Sequence, residues 1–153
     1  MFTRLLVPTD LNAPPDAALA YARALARSVS GTVHLLHVLP NVFLRPVVGD
    51  PRALEAAARS QLDERVPAHE RHQLHVVTAV ERSDEPADEI VSYASVNDID
   101  LIIMATHGRH VMRSVAEKVV RDAPCPVLMV PAGMPDAEED FQHAPVRAEA
   151  RAL

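Results

Sequence analysis

Short apolar stretches alternate along the chain with longer stretches in which apolar residues recur every three or four positions. Most of the short stretches are apolar on both faces, which predicts buried β-strands. They occupy residues 2–7, 32–39, 74–80, 100–105 and 127–130. The longer stretches predict amphipathic helices. The predicted order, β-α-β-α-β-α-β-α-β, is typical of an α/β fold with a parallel sheet covered by helices on both faces.

Residues that favour helix ends mark several limits of the predicted helices. Gly31 lies where a first helix would end. Asp50 and Pro51 predict the N-cap and first turn of a second helix. Ser114 and Glu117 form the S-x-x-E pattern of a capping box, which predicts that the last helix begins at Ser114.

The carboxyl edge of the predicted sheet is the first place to search for a ligand site. In open parallel sheets, ligands bind beyond the carboxyl ends of the strands, at the point where the strand order reverses. The loops that follow the first and fourth predicted strands, 8–12 and 106–113, are therefore the candidate loops.

Length and composition indicate one globular domain followed by a tail. The chain has 153 residues, of which 48% are hydrophobic and 24% charged. Residues 1–131 contain all the predicted elements. Residues 132–153 have five acidic residues against two arginines, so they carry half of the net charge of −6. They show no apolar periodicity, which predicts a disordered acidic tail.

The same numbers indicate the compartment and exclude some partners. The acidic balance disfavours nucleic-acid binding, which usually needs a basic face. No apolar run is long enough to span a membrane, and the start of the chain lacks the pattern of a signal peptide. The single cysteine fits a reducing compartment. We therefore expect a cytoplasmic protein with no membrane or nucleic-acid partner.

Several motifs, taken together and in order, resemble the universal stress protein family. They are Leu6-Val7-Pro8-Thr9-Asp10, Leu36-His37-Val38, Pro86-Ala87-Asp88-Glu89-Ile90, Met104-Ala105-Thr106-His107-Gly108-Arg109, Ser114-Val115-Ala116-Glu117-Lys118-Val119 and Ala123-Pro124-Cys125-Pro126-Val127-Leu128-Met129-Val130. The resemblance covers residues 2–131. It implies a three-layer α/β/α, Rossmann-like fold with a five-stranded parallel sheet, a homodimer and a role in stress survival.

The family has a branch that binds ATP and a branch that does not. The ATP-binding branch carries glycine, two residues, glycine, nine residues, and then glycine followed by serine or threonine. In this chain Ala105 stands in place of the first glycine and Arg113 in place of the third, whereas Gly108 and Ser114 are kept. The spacer of nine residues is shortened to the four residues 109–112. Glycines allow backbone N–H groups to approach phosphate oxygens closely, so this loop predicts weakened or absent ATP binding.

The adenosine side of the family's site is better preserved. Asp10 follows the first strand as the family's adenosine-contacting aspartate does, and Val38 matches the position that contacts adenine through its backbone. The resemblance gives this candidate nucleotide-binding set: Pro8, Thr9, Asp10, Val38, Met104, Ala105, His107, Gly108, Arg109, Arg113, Ser114 and Val115. The predicted function is a dimeric binding or regulatory module in the stress response, with ATP or another adenine nucleotide as the candidate ligand.

Some of these residues have two interpretations. Asp10 either contacts a ligand or caps the first helix. Ser114 either caps its helix or also contacts an anion, since the two roles are compatible. Arg109 and Arg113 either lie on a solvated loop or grip phosphates in place of the glycines. In the latter case the chain is a genuine ATP-binding stress protein.

Enzymatic and metal functions have little support in the sequence. There is no G-x-x-x-x-G-K-[ST] motif, and Lys118 is the only lysine, so an ATPase or nucleotidyl transferase is disfavoured. A phospho-receiver domain needs a lysine after its last strand, and none is present. His69, His72 and His75 span a helix-to-strand connection, where they would diverge rather than converge on a metal. We therefore expect no catalytic residue and no metal.

The last predicted strand, Val127, Leu128, Met129 and Val130, is short and apolar. It would lie at a sheet edge, and an exposed apolar edge usually needs a partner. The family resemblance implies that this strand pairs with its copy in a homodimer.

Cys125 precedes the last predicted strand and lies between two prolines. It is expected to be a small buried residue without a redox role.

Overall fold

The computed structural model describes residues 1–11, 17–41, 49–106 and 110–131, with only the backbone described at 110–113. Five strands form one parallel sheet in the order β3-β2-β1-β4-β5. The elements are β1 (Arg4–Pro8), α1 (Ala17–Val29), β2 (Thr32–Leu39), α2 (Pro51–Glu64), α3 (Ala68–Arg71), β3 (His75–Arg82), α4 (Pro86–Val96), β4 (Leu101–Thr106), α5 (His110–Asp122) and β5 (Val127–Pro131). The predicted α/β/α fold with a five-stranded parallel sheet is confirmed.

Alternate residues of the strands enter two separate cores. Leu5 and Val7 of β1 pack with α1 and α2 on one face of the sheet, whereas Leu6 packs with α4 and α5 on the other. All three side chains are fully buried. A central strand that is covered on both faces must be apolar throughout, which is why β1 appears as a continuous apolar run in the sequence.

The predicted strands agree with the observed ones to within about two residues. The second matches 32–39 at both ends, and the others are displaced by one or two positions. Asp50 is the N-cap of α2, and its side chain accepts a hydrogen bond from the Arg52 N–H at 3.0 Å. The short helix α3 was not predicted. The predicted tail, 132–153, lies outside the described residues.

Gly31 has a different role from the predicted one. Ser30, not Gly31, takes the left-handed conformation after α1, with φ of 53°. The Gly31 N–H then donates to the Ala26 carbonyl at 2.9 Å, which completes a Schellman motif. A Cβ atom at Gly31 would lie 2.9 Å from the Thr3 carbonyl oxygen. Glycine is therefore needed here for the close approach of β1, and not for its backbone angle.

The prediction that α5 begins at Ser114 was wrong. The helix begins four residues earlier, at His110, so Ser114 lies inside it and is not its N-cap. Residues 110–113 contain neither glycine nor proline, so nothing in them stops the helix from extending toward β4. The connection between β4 and α5 is consequently only residues 107–109 long.

A buried carboxylate joins α3 to α1. Glu70 is only 7% exposed, and its Oε1 atom contacts Nη2 of Arg23. Arg27 Nη2 lies 3.3 Å from Glu70 Oε2, close enough for an ion pair but without the alignment of a hydrogen bond. Two arginines one helical turn apart on α1 thus hold a single acidic side chain of α3. This cluster fixes the segment that leads into β3.

His34 of β2 packs edge-on against Tyr93 of α4. Their ring centroids are 5.9 Å apart, and His34 Nδ1 lies 3.0 Å from the Tyr93 hydroxyl. Burial, followed by the nearby Arg4 guanidinium, lowers the pKa of His34 below 6.5. Since the unfolded chain then binds a proton more readily than the folded one, stability is lost as the pH falls through about 6.5.

His34→Asn is expected to reduce this loss, because asparagine keeps a polar atom near the Tyr93 hydroxyl but does not titrate. The measurement is the fall in melting temperature between about pH 7.5 and pH 5.5, on either side of the usual histidine pKa. His75→Asn, at an exposed position on β3, is the matched control and should follow the wild type. An equal fall in all three proteins would contradict the assignment to His34.

Candidate functional site

The carboxyl edge of the sheet contains the expected reversal of strand order. β1 and β4 are neighbours, but the chain leaves β1 toward α1 on one face and leaves β4 toward α5 on the other. Such a divergence opens a crevice at the strand ends. The described residues at the ends of β1 and β4, Pro8 and Thr106, begin the two loops identified from the sequence.

A cleft of about 500 Å³ lies on the α4–α5 face at this edge. Three parts of the chain line it: the end of β2, the turn from β3 into α4, and the first half of α5. The described lining residues are Val38, Pro40, Ser83, Asp84, Glu85, Pro86, Ala87, Ser114, Val115 and Lys118. The volume is within the range of small-molecule sites, and the walls combine apolar side chains with a few polar groups.

The cleft brings together three of the predicted site residues, Val38, Ser114 and Val115. Val38 and Ser114 lie on different elements, 76 positions apart in the sequence. The prediction combined them through family resemblance alone. The structure brings them to the lining of one cleft.

The turn that leads into α4 is held by side-chain hydrogen bonds. The Asn41 N–H donates to Asp84 Oδ1 at 3.0 Å, which ties the residues after β2 to those after β3. The Glu85 N–H donates to Ser83 Oγ at 3.1 Å. Together these bonds give the cleft a rigid polar wall.

Lys118 spans the cleft from α5 to α4. Its Nζ lies 2.8 Å from Asp88 Oδ1 and 3.8 Å from Glu85 Oε2. The hydrogen bond that Lys118 donates to Asp88 is the main reason that the pKa of Lys118 is raised above its usual value. The ammonium group is therefore charged and already paired with carboxylates.

The residues after β1 lie beside the end of β2. The Thr9 N–H donates to the Leu36 carbonyl at 2.8 Å, and His37 Nδ1 donates to the Thr9 carbonyl at 2.8 Å. Thr9 Oγ1 in turn accepts the Leu11 N–H at 3.2 Å. Asp10, the predicted adenosine contact, is half-buried in the middle of this anchored turn.

Leu11 has an unusual backbone conformation, with φ of 65°. The left-handed region costs an ordinary L-residue about 1–2 kcal/mol. The Leu11 carbonyl accepts a hydrogen bond at 2.7 Å from Nη2 of Arg65, the residue that ends α2. The Leu11 side chain also packs against the core on the α1–α2 face. These contacts hold the loop in a conformation that leucine disfavours.

The remaining predicted residues are placed differently. Pro8 is buried at the end of β1, and the Met104 side chain is only 2% exposed within the α4–α5 core. Met104 is not among the described residues that line the cleft. Ala105 is half-buried near the end of β4. His107, Gly108 and Arg109 lie outside the described residues, as does the side chain of Arg113.

Sequence reasoning missed the turn 83–87 and Lys118. Ser83 follows β3 directly, and the rule that ligands bind at strand carboxyl ends applies to that loop as much as to the two chosen. Lys118 was treated as lying one turn inside its helix, but it is eight residues from the start of α5. The early start of α5 places it opposite the first turn of α4.

His69, His72 and His75 lie on successive parts of the chain from α3 to β3. His69 lies in α3, His72 is its C-cap and His75 begins β3. Within the described part of the chain, no three histidine, cysteine or acidic side chains are grouped so as to hold a metal ion. Burial raises the pKa of the partly buried Cys125 thiol. No helix in the described ranges is long and apolar enough to cross a membrane.

Comparisons with known proteins identify the family. The profile of the universal stress protein family matches residues 1–131. A universal stress protein of Thermus aquaticus, found beside the gene for a QAH/OAS sulfhydrylase, is 31% identical over 85% of this chain and 99% of its own length. A solved structure of a family protein from Burkholderia pseudomallei is 27% identical, with a TM-score of 0.61 over 86% of this chain and 97% of that one.

A universal stress protein of Archaeoglobus fulgidus, solved in complex with dAMP, has the same fold. Its TM-score is 0.60 and its identity 23%, over 84% of this chain and 98% of that one. The fold similarity, the match of the profile to residues 1–131 and the Thermus relative agree with the motifs found in the sequence. The chain belongs to the universal stress protein family.

Proposed function

We propose that this chain is a non-enzymatic binding and regulatory module of the stress response that takes an adenine nucleotide at the carboxyl edge of its sheet, with weakened binding of the phosphates. The observation that carries the proposal is the cleft of about 500 Å³, in which Val38, Ser114 and Val115 meet. In this proposal the nucleoside occupies the cleft, and Thr9 and Asp10 approach it from the neighbouring strand. In this proposal the protein is located in the cytoplasm.

The walls of the cleft suit a flat, weakly polar ring. Val38, Ala87 and Val115 supply apolar surface, and Pro40 and Pro86 are rigid. The ladder between β1 and β2 stops at the pair of Pro8 and Leu36, so the β1-facing backbone groups of β2 beyond Leu36 can offer hydrogen bonds to a base. This combination of apolar walls and a few polar groups is typical of nucleoside sites.

The same surroundings do not favour a triphosphate. The cleft contains the carboxylates of Asp84 and Glu85, and its ammonium group, on Lys118, is paired with Asp88. Ser114 is the fifth residue of α5, so its backbone N–H has a helical acceptor and is not one of the orphan donors at the helix start. These features support the weakened phosphate site that the missing glycines predict.

The alternative is a genuine ATP-binding protein in which Arg109 and Arg113 replace the glycine loop. Arginine binds phosphate oxygens through a planar fork of N–H groups, so the exchange is chemically reasonable. The two proposals differ in the relative affinities that they predict for ATP and AMP. Arginine contacts to the phosphates favour ATP over AMP, whereas a site that binds mainly the nucleoside gives AMP and ATP similar affinities.

Titration calorimetry with AMP and with ATP separates the two proposals. A monophosphate is a suitable probe because a relative of the same fold was solved with dAMP. We expect AMP to bind, ATP to bind no more tightly than AMP, and little nucleotide absorbing at 260 nm to be released when the purified protein is denatured. Stoichiometric ATP release, or at least about tenfold tighter ATP binding, corresponding to 1.4 kcal/mol, would establish the alternative.

We further propose that the chain forms a homodimer through β5. This strand is an edge of the sheet, hydrogen-bonded only to β4 within the described chain. Met129→Lys places a charge on that edge and is expected to yield a monomer in light scattering. Val77→Lys, at an exposed apolar position on the opposite edge strand, should remain dimeric. A dimeric Met129→Lys protein would show that this interface is wrong.

A further inference from the structure

The loop that carries Asp10 is held from a distant part of the chain. Arg65 is 54 positions after Leu11 in the sequence, at the end of α2, and it donates to the Leu11 carbonyl at 2.7 Å. Leu11 is the residue with φ of 65°, and it directly follows Asp10. A change in the backbone angles of Leu11 would therefore move the residues on either side of it, including the candidate ligand contact.

We propose that Arg65 is a positioning residue for the nucleotide site, which holds the Asp10 loop in its binding conformation before any ligand arrives. This inference rests on the proposed function. Arg65 contacts the loop backbone rather than the cleft, and it is not among the described lining residues. Its effect on a ligand passes through Leu11 to Asp10.

The identity of residue 11 supports a positioning role over a merely structural one. A left-handed residue in a connecting loop is usually glycine, which needs no outside contact to stay there. A bulky residue persists in such a conformation only when its surroundings over-determine it, and such positions cluster at functional sites. Here the surroundings are the Thr9 hydroxyl, the core packing of Leu11 and the Arg65 guanidinium.

The gain from such an arrangement is pre-organisation. Leucine held in place samples fewer conformations than glycine, so a ligand that needs the Asp10 loop in one conformation finds it already formed. If the bond from Arg65 is removed, Leu11 returns to its preferred negative φ for most of the time. The apparent dissociation constant then rises in inverse proportion to the fraction of molecules whose Asp10 loop keeps the binding conformation.

The test compares AMP binding by Arg65→Met and Arg71→Met. Arg71 is a matched control, because it also lies just after α2 and donates to backbone carbonyls, those of Asp63 and Val66, away from the site. We expect Arg65→Met to weaken AMP binding about tenfold, as a competent fraction of about one in ten implies. We expect Arg71→Met to bind as the wild type does. Equal weakening by both would overturn the proposal.

A second variant separates positioning from general destabilisation. Leu11→Gly in the Arg65→Met background should recover part of the lost affinity, since glycine adopts the left-handed conformation without the bond. A structural role for Arg65 predicts no recovery, because the extra glycine only makes the chain more flexible. Absence of recovery would therefore overturn the proposal even if the single variant weakens binding.

Failure of the proposed function is recognised separately. If the wild-type protein binds no AMP, that function is overturned, and the positioning role is judged from the NMR chemical shifts of the Leu11 Cα and Cβ atoms. Chemical shifts that leave the values typical of the left-handed conformation in Arg65→Met, but not in Arg71→Met, support the role of Arg65 in holding the loop. Shifts that are unchanged in Arg65→Met overturn it.

Discussion

Glu70→Leu is expected to destabilise the protein by about 3 kcal/mol, because it leaves Arg23 and Arg27 without the carboxylate that both face. The Arg23 side chain is only 19% exposed, so its charge cannot be fully hydrated in the variant. The short helix α3 would also lose its link to α1. The measurement is the free energy of unfolding from urea denaturation.

Two further variants distinguish a buried charge from a lost contact. Adding Arg23→Met to Glu70→Leu removes the more buried of the two arginines that face Glu70, and it should restore part of the stability. Glu55→Gln breaks two solvent-accessible ion pairs, with Arg59 on α2 and with Arg82 on β3, and should cost no more than about 1 kcal/mol. If Glu70→Leu proves as mild as Glu55→Gln, the cluster does not stabilise the fold.

Ser114→Trp is expected to weaken AMP binding at least about 100-fold, which corresponds to about 2.7 kcal/mol. Ser114 is exposed and lines the cleft, so an indole ring at this position occupies space that the ligand needs without entering the core. Ligand sites of this kind enclose most of their ligand's surface, so a partial block is costly. Titration calorimetry measures the loss.

The controls for this prediction lie on the same helix. Val120 is 54% exposed and is not among the described residues that line the cleft, so Val120→Trp should leave AMP binding unchanged. Ser114→Ala removes the hydroxyl but leaves the cleft open, and it should weaken binding far less than tryptophan does. Full AMP binding by Ser114→Trp would place the nucleotide elsewhere on the protein.

The strands and their alternation with helices along the chain were accessible from the sequence because their signal is local. Residues Leu5, Leu6 and Val7 are apolar on both faces of the sheet, and this alone predicts a central parallel strand. The start of α5 was not accessible in the same way. The S-x-x-E pattern at Ser114 is a local signal that also occurs inside helices, and the observed helix begins at His110.

At the candidate site, family resemblance located Val38, Ser114 and Val115, and the structure brings them into one cleft. The same resemblance included Met104, whose side chain the structure places in the core. Motif matching assigns positions, but it does not say which way a side chain points. Lys118 was missed because its importance depends on α4, to which no sequence motif links it.

The sequence by itself determined the class of the fold, the number of strands and the family, because each of these follows from residues that are neighbours along the chain. Tertiary structure alone decided the contacts between distant residues. Glu70 meets Arg23 across 47 positions, and Arg65 meets Leu11 across 54. Such pairs leave no periodicity in the sequence, since they depend on how the helices pack against the sheet.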